Sequence, residues 1–228
     1  MLVFLISVIV STVPSILLYR WIKNYKDNDN YKDLCKRALK LGLFAVIPIC
    51  FASLIFFIIG KVSHLEKINI ILYQAYYTII VLAFAEELVK YLCFKKVLKD
   101  TKYKYNYFDI VIAMSMVGLG FGIIENITFS INSGIISMII KGIDLAHLGY
   151  GFIVGYFYAK AVKTKKNFYK YLGFIISWLL HGLYDFGLSD ELLKINDNFA
   201  FLSVSLTLFS LITLGLFIRY VRCERKKV

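Results

Sequence analysis

The sequence has few of the residues that keep a protein surface in water. Only 18% of its 228 residues are charged and two are prolines, whereas 59% are hydrophobic and the mean hydropathy is +0.69. Soluble domains carry about 25% charged residues. The composition therefore excludes an ordinary water-soluble domain and favours a protein whose exterior faces lipid.

Other common features are also missing. The four cysteines contain no Cys-x-x-Cys metal pattern. They also predict no disulfide framework, because Cys35 and Cys223 map to the cytoplasmic side and Cys50 and Cys93 lie inside apolar runs. No repeat of fixed period occurs, and no connection is long enough to hold a soluble domain. We therefore expect the protein to act in or beside the bilayer.

Seven apolar runs have the length that a helix needs to cross a membrane, about 18 to 26 residues. They lie near residues 2–19, 41–59, 70–94, 108–130, 135–159, 171–188 and 199–218. These runs predict an all-α fold, a polytopic transmembrane helical bundle of about seven spans. The whole chain, 1–228, is expected to form one membrane domain.

The net charge of +12 is distributed unevenly along the chain. Lysine and arginine concentrate in every second connection, within 20–40, 95–104, 160–170 and 219–227. The positive-inside rule places these segments in the cytoplasm, with the N-terminus outside and the C-terminus cytoplasmic. Basic ends also attract anionic lipid headgroups, so we expect the cell membrane and its lipids as partners, and no nucleic acid. The segment 20–40 is interpreted as a polar turn and a short amphipathic connector.

Ionisable residues recur inside four consecutive spans, where each costs at least ~2.5 kcal/mol unless it is paired, hydrated or used. They are Glu86, Glu87 and Lys90 in the third span, Glu125 beside Asn126 in the fourth, His147 in the fifth, and His181 and Asp185 in the sixth. Asp109 and Lys141 lie near span ends and are interpreted as interface residues.

The spacing of these residues predicts some of their contacts. Residues four apart share a helix face, so Glu86 is expected to pair with Lys90, whereas Glu87 points about 100° away towards another neighbour. By the same spacing Asp185 is expected to orient the His181 ring. Two adjacent carboxylates thus gain different environments, and one of them becomes a candidate base.

Depth in the membrane separates the candidates. At ~1.5 Å per residue, Glu86, Glu87 and His181 lie roughly 10 to 16 Å from the cytoplasmic ends, whereas Glu125 and His147 lie roughly 20 to 25 Å deep. A tilt, a kink or a hydrated cavity is needed if all five act together. Glycines in the fourth and fifth spans are expected to let helices approach closely. They are Gly118, Gly120, Gly122, Gly149, Gly151 and Gly155.

In their order along the chain, these motifs resemble those of the PrsW family of bacterial intramembrane proteases, distant relatives of the CAAX-prenyl and bacteriocin-processing proteases. The motifs are Glu86-Glu87-x-x-Lys90, Phe121-x-x-x-Glu125-Asn126, His147 and His181-x-x-x-Asp185. The CAAX proteases have Glu-Glu-x-x-x-Arg and a histidine in the second motif. This chain has Lys90 one residue earlier and Glu125, which argues against a prenylated substrate.

The resemblance implies site-1 cleavage of a membrane-anchored anti-sigma factor, which frees an extracytoplasmic-function sigma factor in a stress response. It also implies that the paired glutamates and His181 are essential. Peptide hydrolysis needs an activated water, oxyanion stabilisation and a proton for the leaving amine. Glu86 or Glu87 is the candidate general base, and His181 would polarise the carbonyl or protonate the amine.

Glu125, Asn126 and His147 are expected to complete the water or metal site. A Zn²⁺ site of the His₂Glu type is one option, and a glutamate-activated water without metal is the other. The candidate metal ligands are Glu86, Glu125, His147 and His181.

Two other classes of protein are consistent with intramembrane acids and histidines. A proton-coupled transporter or channel uses such residues as a relay, but no inverted repeat or pair of broken spans is present. A non-catalytic scaffold would not explain why costly acids recur on four spans. The sequence therefore favours the protease.

Overall fold

The computed structural model describes residues 2–99, 105–129 and 145–225. These ranges are helices joined by short turns, with no strand among them, which confirms the all-α prediction. The first half contains α1 (Leu2–Lys23), α2 (Asp29–Phe44), α3 (Val46–Val62), a 3₁₀ turn (Leu65–Lys67), α4 (Ile70–Ala75), a π-helical segment (Tyr76–Phe84) and α5 (Ala85–Lys99). The second half contains α6 (Tyr107–Phe129), α7 (Ala146–Thr164), α8 (Phe168–Gly187), α9 (Asp190–Ile195) and α10 (Phe199–Arg225).

Two of the described helices are long and apolar enough on their own to cross a membrane, over Tyr107–Thr128 and Phe199–Glu224. A third candidate is the pair α2 and α3, which bend by 40° at their junction. The count of seven spans therefore stays a prediction. Residue 130, residues 135–144 of the predicted fifth span, and Lys141 lie outside the described residues.

Helix α6 forms the centre of the bundle, and nearly all of its residues from Phe108 to Phe121 are buried. It packs most extensively on α7 and then on α2. Glycines make this packing possible, because a Cβ on Gly118 would lie only 2.1 Å from the His147 carbonyl oxygen and one on Gly120 only 2.3 Å from that of Leu39. The predicted packing role of the glycines is confirmed at these positions.

The other predicted glycines differ in how closely they are packed. A Cβ on Gly149, Gly151 or Gly155 would also lie within 3 Å of a neighbouring helix. At Gly122 the nearest atom would be 3.5 Å away, an ordinary contact. Five of the six glycines therefore set interhelical distances.

The segment between the first two predicted spans is not a simple connector. Its α2 portion buries Tyr31, Leu34, Cys35 and Ala38 against α6. These positions follow the i, i+3, i+4, i+7 spacing of an amphipathic helix, whose apolar face needs a partner to cover it. The Tyr31 hydroxyl also donates to the carbonyl of Ile22, at 2.9 Å. The predicted turn and amphipathic stretch are present, but the connector role was wrong, because α2 belongs to the core.

Asp109 is not an interface residue, because its side chain is fully buried. The Lys26 ammonium donates to Asp109 Oδ1 at 2.8 Å and lies over the rings of Phe108 and Tyr31. The Asn106 backbone N–H donates to Asp109 Oδ2, and the Asp109 N–H donates back to the Asn106 side chain. The predicted interface position was therefore wrong. The position of Asp109 near a span end did not indicate that a lysine 83 residues away supplies the counter-charge.

Candidate active site

A π-helical segment places the paired glutamates. The wider i→i+5 turns of Tyr76–Phe84 end at Ala85, directly before Glu86, and π-helical turns often occur at functional sites. The Trp178 indole N–H donates to the Ile79 carbonyl at 2.6 Å. Gly182 allows the close approach, because its Cβ would lie 2.9 Å from the Ile79 Cα. Helix α8 is thereby fixed against the segment that leads into the glutamates.

Glu87 is the hub of the site and is 1% exposed. Its Oε1 accepts hydrogen bonds from Lys90 Nζ at 2.5 Å and from His181 Nδ1 at 3.0 Å. Its Oε2 accepts one from Ser177 Oγ at 3.2 Å. Because a carboxylate only accepts, these bonds assign a proton to His181 Nδ1. One anion thus orients a lysine, a histidine and a serine.

The expected pair between Glu86 and Lys90 was wrong, since Lys90 bonds Glu87 instead. Residues three apart share a helix face as readily as residues four apart. Contacts with other helices therefore decide which glutamate Lys90 binds. The Lys90 ammonium also donates to His147 Nδ1 at 3.0 Å and lies over the Phe121 ring at 4.8 Å. With 1% exposure, Lys90 does not extend to the interface but occupies the interior of the cluster.

His147 connects this cluster to Glu125. Because its Nδ1 accepts from an ammonium, its Nε2 carries the proton and donates to Glu125 Oε2 at 2.5 Å. The rings of His147 and His181 lie 5.0 Å apart at 84°. The expected difference in depth therefore does not separate Glu125 and His147 from the other candidates.

His181 is held from several directions. Its Nε2 lies 3.4 Å from Asp185 Oδ2 and 3.7 Å from Glu86 Oε2. The Tyr150 ring stacks on its face at 5.1 Å and 23°. Asp185 therefore faces the ring as predicted, but the hydrogen bond that fixes Nδ1 comes from Glu87.

Glu86 carries the unused acceptor of the site. Its Oε2 is buried and has no hydrogen-bond partner among the residues that the structure describes. One donor atom from each of Glu86, His147 and His181 lies within 4.8 Å of the others. Two imidazoles and a carboxylate suit Zn²⁺, and the bond from His181 Nδ1 to Glu87 is the kind that orients a metal-bound histidine. These residues fit a Zn²⁺ ion, although His147 would have to give up its bond to Lys90 or to Glu125.

A cavity of about 30 Å³ adjoins the cluster, large enough for a water molecule. Glu125, His147, His181 and Asp185 line it, together with Ser15 on α1. Glu86 does not line this cavity, but His181 does, and His181 Nε2 lies 3.7 Å from Glu86 Oε2. The cavity gives a reacting water a place to bind beside His181.

Asn126 also lines the cavity, but its side-chain N–H donates to the Ser11 carbonyl at 3.0 Å and so holds α1 against α6. The sequence reasoning missed Ser177 and Tyr150. A signal for Ser177 was present, because Ser177, His181 and Asp185 are spaced four apart on one face of α8. No spacing pointed to Tyr150, which lies on α7 and reaches His181 across the helix interface.

A buried cluster of acids and histidines beside a water-sized cavity, in a bundle with a largely apolar exterior, is the arrangement of an intramembrane hydrolase. Comparison with known families gives the same class, since a model described as "PrsW family intramembrane metalloprotease" matches residues 34–214. The chain belongs to the PrsW family and is a membrane protease.

Three curated relatives share this name. Protease PrsW of Oceanobacillus iheyensis is 32% identical over 155 residues, which cover 66% of this chain and 67% of the relative. Protease PrsW of Bacillus subtilis is 26% identical over 177 residues, covering 75% and 77%. Protease PrsW of Geobacillus kaustophilus is 24% identical over 185 residues, covering 79% and 78%. No solved structure matches significantly.

Proposed function

We propose that this protease makes the first, site-1 cut in a membrane-anchored anti-sigma factor and thereby releases an extracytoplasmic-function sigma factor. Family membership supports the reaction class. The observation that carries the chemistry is the unbonded, buried Glu86 Oε2, which faces His181 Nε2 at 3.7 Å.

The two glutamates have different roles in this proposal. Glu87 accepts three hydrogen bonds and therefore has little capacity left to take a proton. Glu86 has an open oxygen and is the general base that takes a proton from the attacking water. The hydrogen bonds of the two glutamates thus favour Glu86 over Glu87 as the base, an alternative that the sequence left open.

His181 is the proton donor for the leaving amine. Its Nδ1 is fixed by Glu87, so Nε2 is the nitrogen that faces Glu86 and Asp185 and can hold the proton in transit. Asp185 stabilises the imidazolium that forms. Lys90 holds Glu87 and His147 in place and supplies positive charge near the oxyanion, with Glu125 bonded to the far side of His147.

Glu86, His147 and His181 are the residues that would hold a metal ion. A bound Zn²⁺ would polarise the scissile carbonyl and ionise a water near neutral pH. The two residues would have different roles in the two pathways: with a metal, Glu86 and His181 would be ligands, whereas without one Glu86 is the base and His181 the proton donor.

We also propose seven spans in the cell membrane, with the N-terminus outside and the C-terminus cytoplasmic. Tyr25, after α1, and Tyr220, near the end of α10, both pack on the Phe108 ring. The first and last long helices therefore end on the same side of the bundle, where Arg20, Lys23, Arg219 and Arg222 lie. An odd number of crossings with a basic cytoplasmic face has this arrangement.

The function is tested by co-expressing the chain with candidate single-span anti-sigma factors and following the substrate by immunoblot. A shortened product that disappears with Glu86→Gln supports the proposal. Equal cleavage by the wild type and this variant, at equal membrane levels, would contradict it. Proton flux in proteoliposomes without cleavage would favour a transporter.

Metal dependence is tested on purified enzyme. If Zn²⁺ is required, exhaustive chelation lowers bound zinc, measured by mass spectrometry, together with cleavage, and added Zn²⁺ restores both. Full activity after chelation would assign water activation to Glu86 alone.

A further inference from the structure

A lipid-sized groove lies between α1 and α10, away from the paired glutamates. Its volume is about 400 Å³. Leu17 and Leu18 form one wall, and Leu214 and Ile218 form the other. Both helices pack on α6 or α7, and their side chains leave an apolar trough open to the exterior.

The groove has a basic end. Arg222 lines it at the C-terminal end of α10, and Trp21 lines it at the same end of α1. A second recess of about 320 Å³ shares Trp21 and is lined by Arg20, Asn24 and Tyr25. Among the described residues, neither Arg20 nor Arg222 has a carboxylate partner within ion-pair distance.

The chemistry of the two adjoining spaces matches one ligand. An acyl chain is apolar and narrow enough for the trough, whereas a helix with its side chains is about 10 Å wide. A phosphate headgroup is an anion that arginine binds with paired hydrogen bonds. Tryptophan between an apolar and a polar space is typical of the membrane interface.

We propose that α1 and α10 form a binding site for an anionic phospholipid, with one acyl chain in the groove and the headgroup between Arg20 and Arg222. Leu145 lines both this groove and the cavity beside His147. The groove and the cavity beside the candidate active site therefore share one wall residue. The inference does not depend on the proposed proteolysis.

Trp21 is a built-in probe of occupancy, because the chain has only two tryptophans. The Trp178→Phe variant is reconstituted in phosphatidylcholine vesicles that contain a small fraction of brominated phosphatidylglycerol or brominated phosphatidylcholine. Brominated phosphatidylglycerol is expected to quench Trp21 more strongly than the same fraction of brominated phosphatidylcholine. In a Trp21→Phe variant, Trp178 should show no such preference.

Two substitutions test the geometry. Arg222→Gln is expected to lower the preference about fivefold, since a basic residue near the surface contributes ~1 kcal/mol to binding of anionic lipid. Arg219→Gln, an exposed arginine on the same helix outside the groove, is the matched control and should leave it unchanged. Ile218→Phe or Leu214→Phe fills the trough and should reduce quenching by the anionic lipid.

Three results would overturn the proposal. Equal quenching by the two lipids would remove the headgroup preference. Equal effects of Arg219→Gln and Arg222→Gln would show diffuse attraction to the surface. Protection of Trp21 by a single-span apolar peptide, irrespective of headgroup, would assign the groove to a substrate helix.

Discussion

The part of the chain that the structure describes buries charge in two places, and the two differ in how fully their hydrogen-bonding atoms are paired. Around Asp109, Lys26 and the Asn106 backbone satisfy both carboxylate oxygens, and aromatic rings cover the ammonium. Around Glu87, side chains from α5, α6, α7 and α8 form a hydrogen-bonded cluster next to a cavity. One oxygen of Glu86 has no hydrogen bond to any described residue. Burial of a charge alone therefore does not identify a reactive site. The Glu87 cluster differs in having an acceptor without a hydrogen bond among the described residues and a cavity lined by His147 and His181.

The largest effect is expected from Glu87→Gln, which would leave the Lys90 ammonium buried without its anion. Removing one partner of a buried pair costs about 3–5 kcal/mol, so membrane levels and thermal stability should fall together with cleavage. The double variant Glu87→Gln, Lys90→Met should recover stability but not cleavage. Normal thermal stability of the single variant would show that Glu87 is not the anchor of the cluster.

Glu86→Gln should separate chemistry from folding. The change preserves shape and removes the base, so cleavage should fall by at least ~10²-fold while the protein accumulates normally. Immunoblots of substrate and enzyme from the same membranes measure both. A large loss of Glu86→Gln protein would instead place Glu86 among the structural groups.

The Asp109 cluster should show the opposite pattern. Asp109→Asn weakens the bond to Lys26, and the expected loss is roughly 1–3 kcal/mol of stability, as for hydrogen bonds to charged groups. Cleavage per folded molecule should stay within about twofold of wild type. Thermal unfolding in detergent, paired with a cleavage assay normalised to folded protein, tests this. A loss of activity as large as that of Glu86→Gln would erase the distinction between the two places.

Among the three active-site variants, Ser177→Ala is expected to have the smallest effect. It removes one of three hydrogen bonds to Glu87, and a bond to a charged group contributes at least ~1.5 kcal/mol, a factor of about ten. Cleavage should therefore fall by about tenfold. A Ser177→Thr variant keeps the hydroxyl, and its cleavage rate should lie between those of the wild type and Ser177→Ala. If Ala and Thr behave alike, the hydroxyl has no positioning role.

The cost of charge in lipid was enough to predict which residues gather, because Glu86, Glu87, Glu125, His147 and His181 all meet in the structure. It was not enough to predict the bonds between them. Helix periodicity allowed Lys90 to reach either glutamate, and the choice depended on His147, 57 residues away. Helix spacing narrows the possible partners of a side chain, and contacts with other helices decide which of them it binds.

The fold shows the same division. Apolar length predicted the helices, but no local signal predicted that the third span contains the π-helical stretch Tyr76–Phe84. The sequence predicted that 20–40 contains an amphipathic stretch, but not that its apolar face at Tyr31, Leu34 and Ala38 packs in the core. Amphipathic spacing predicts a face that needs a partner and does not say whether that partner is the membrane surface or another helix.

The spacing of Glu87 and Lys90 has a consequence for the synthesis and membrane insertion of the protein. The two residues are three apart on one helix, so their bond can form before any other helix is present. If the predicted third span crosses the bilayer, this segment enters it as a neutral pair, which lowers the cost of partitioning two separate ions. The contact between Glu125 and His147 joins two helices, so it forms only when these helices meet. The order of assembly therefore follows from the sequence separation of the charged contacts: local contacts form during insertion, and contacts between helices form afterwards.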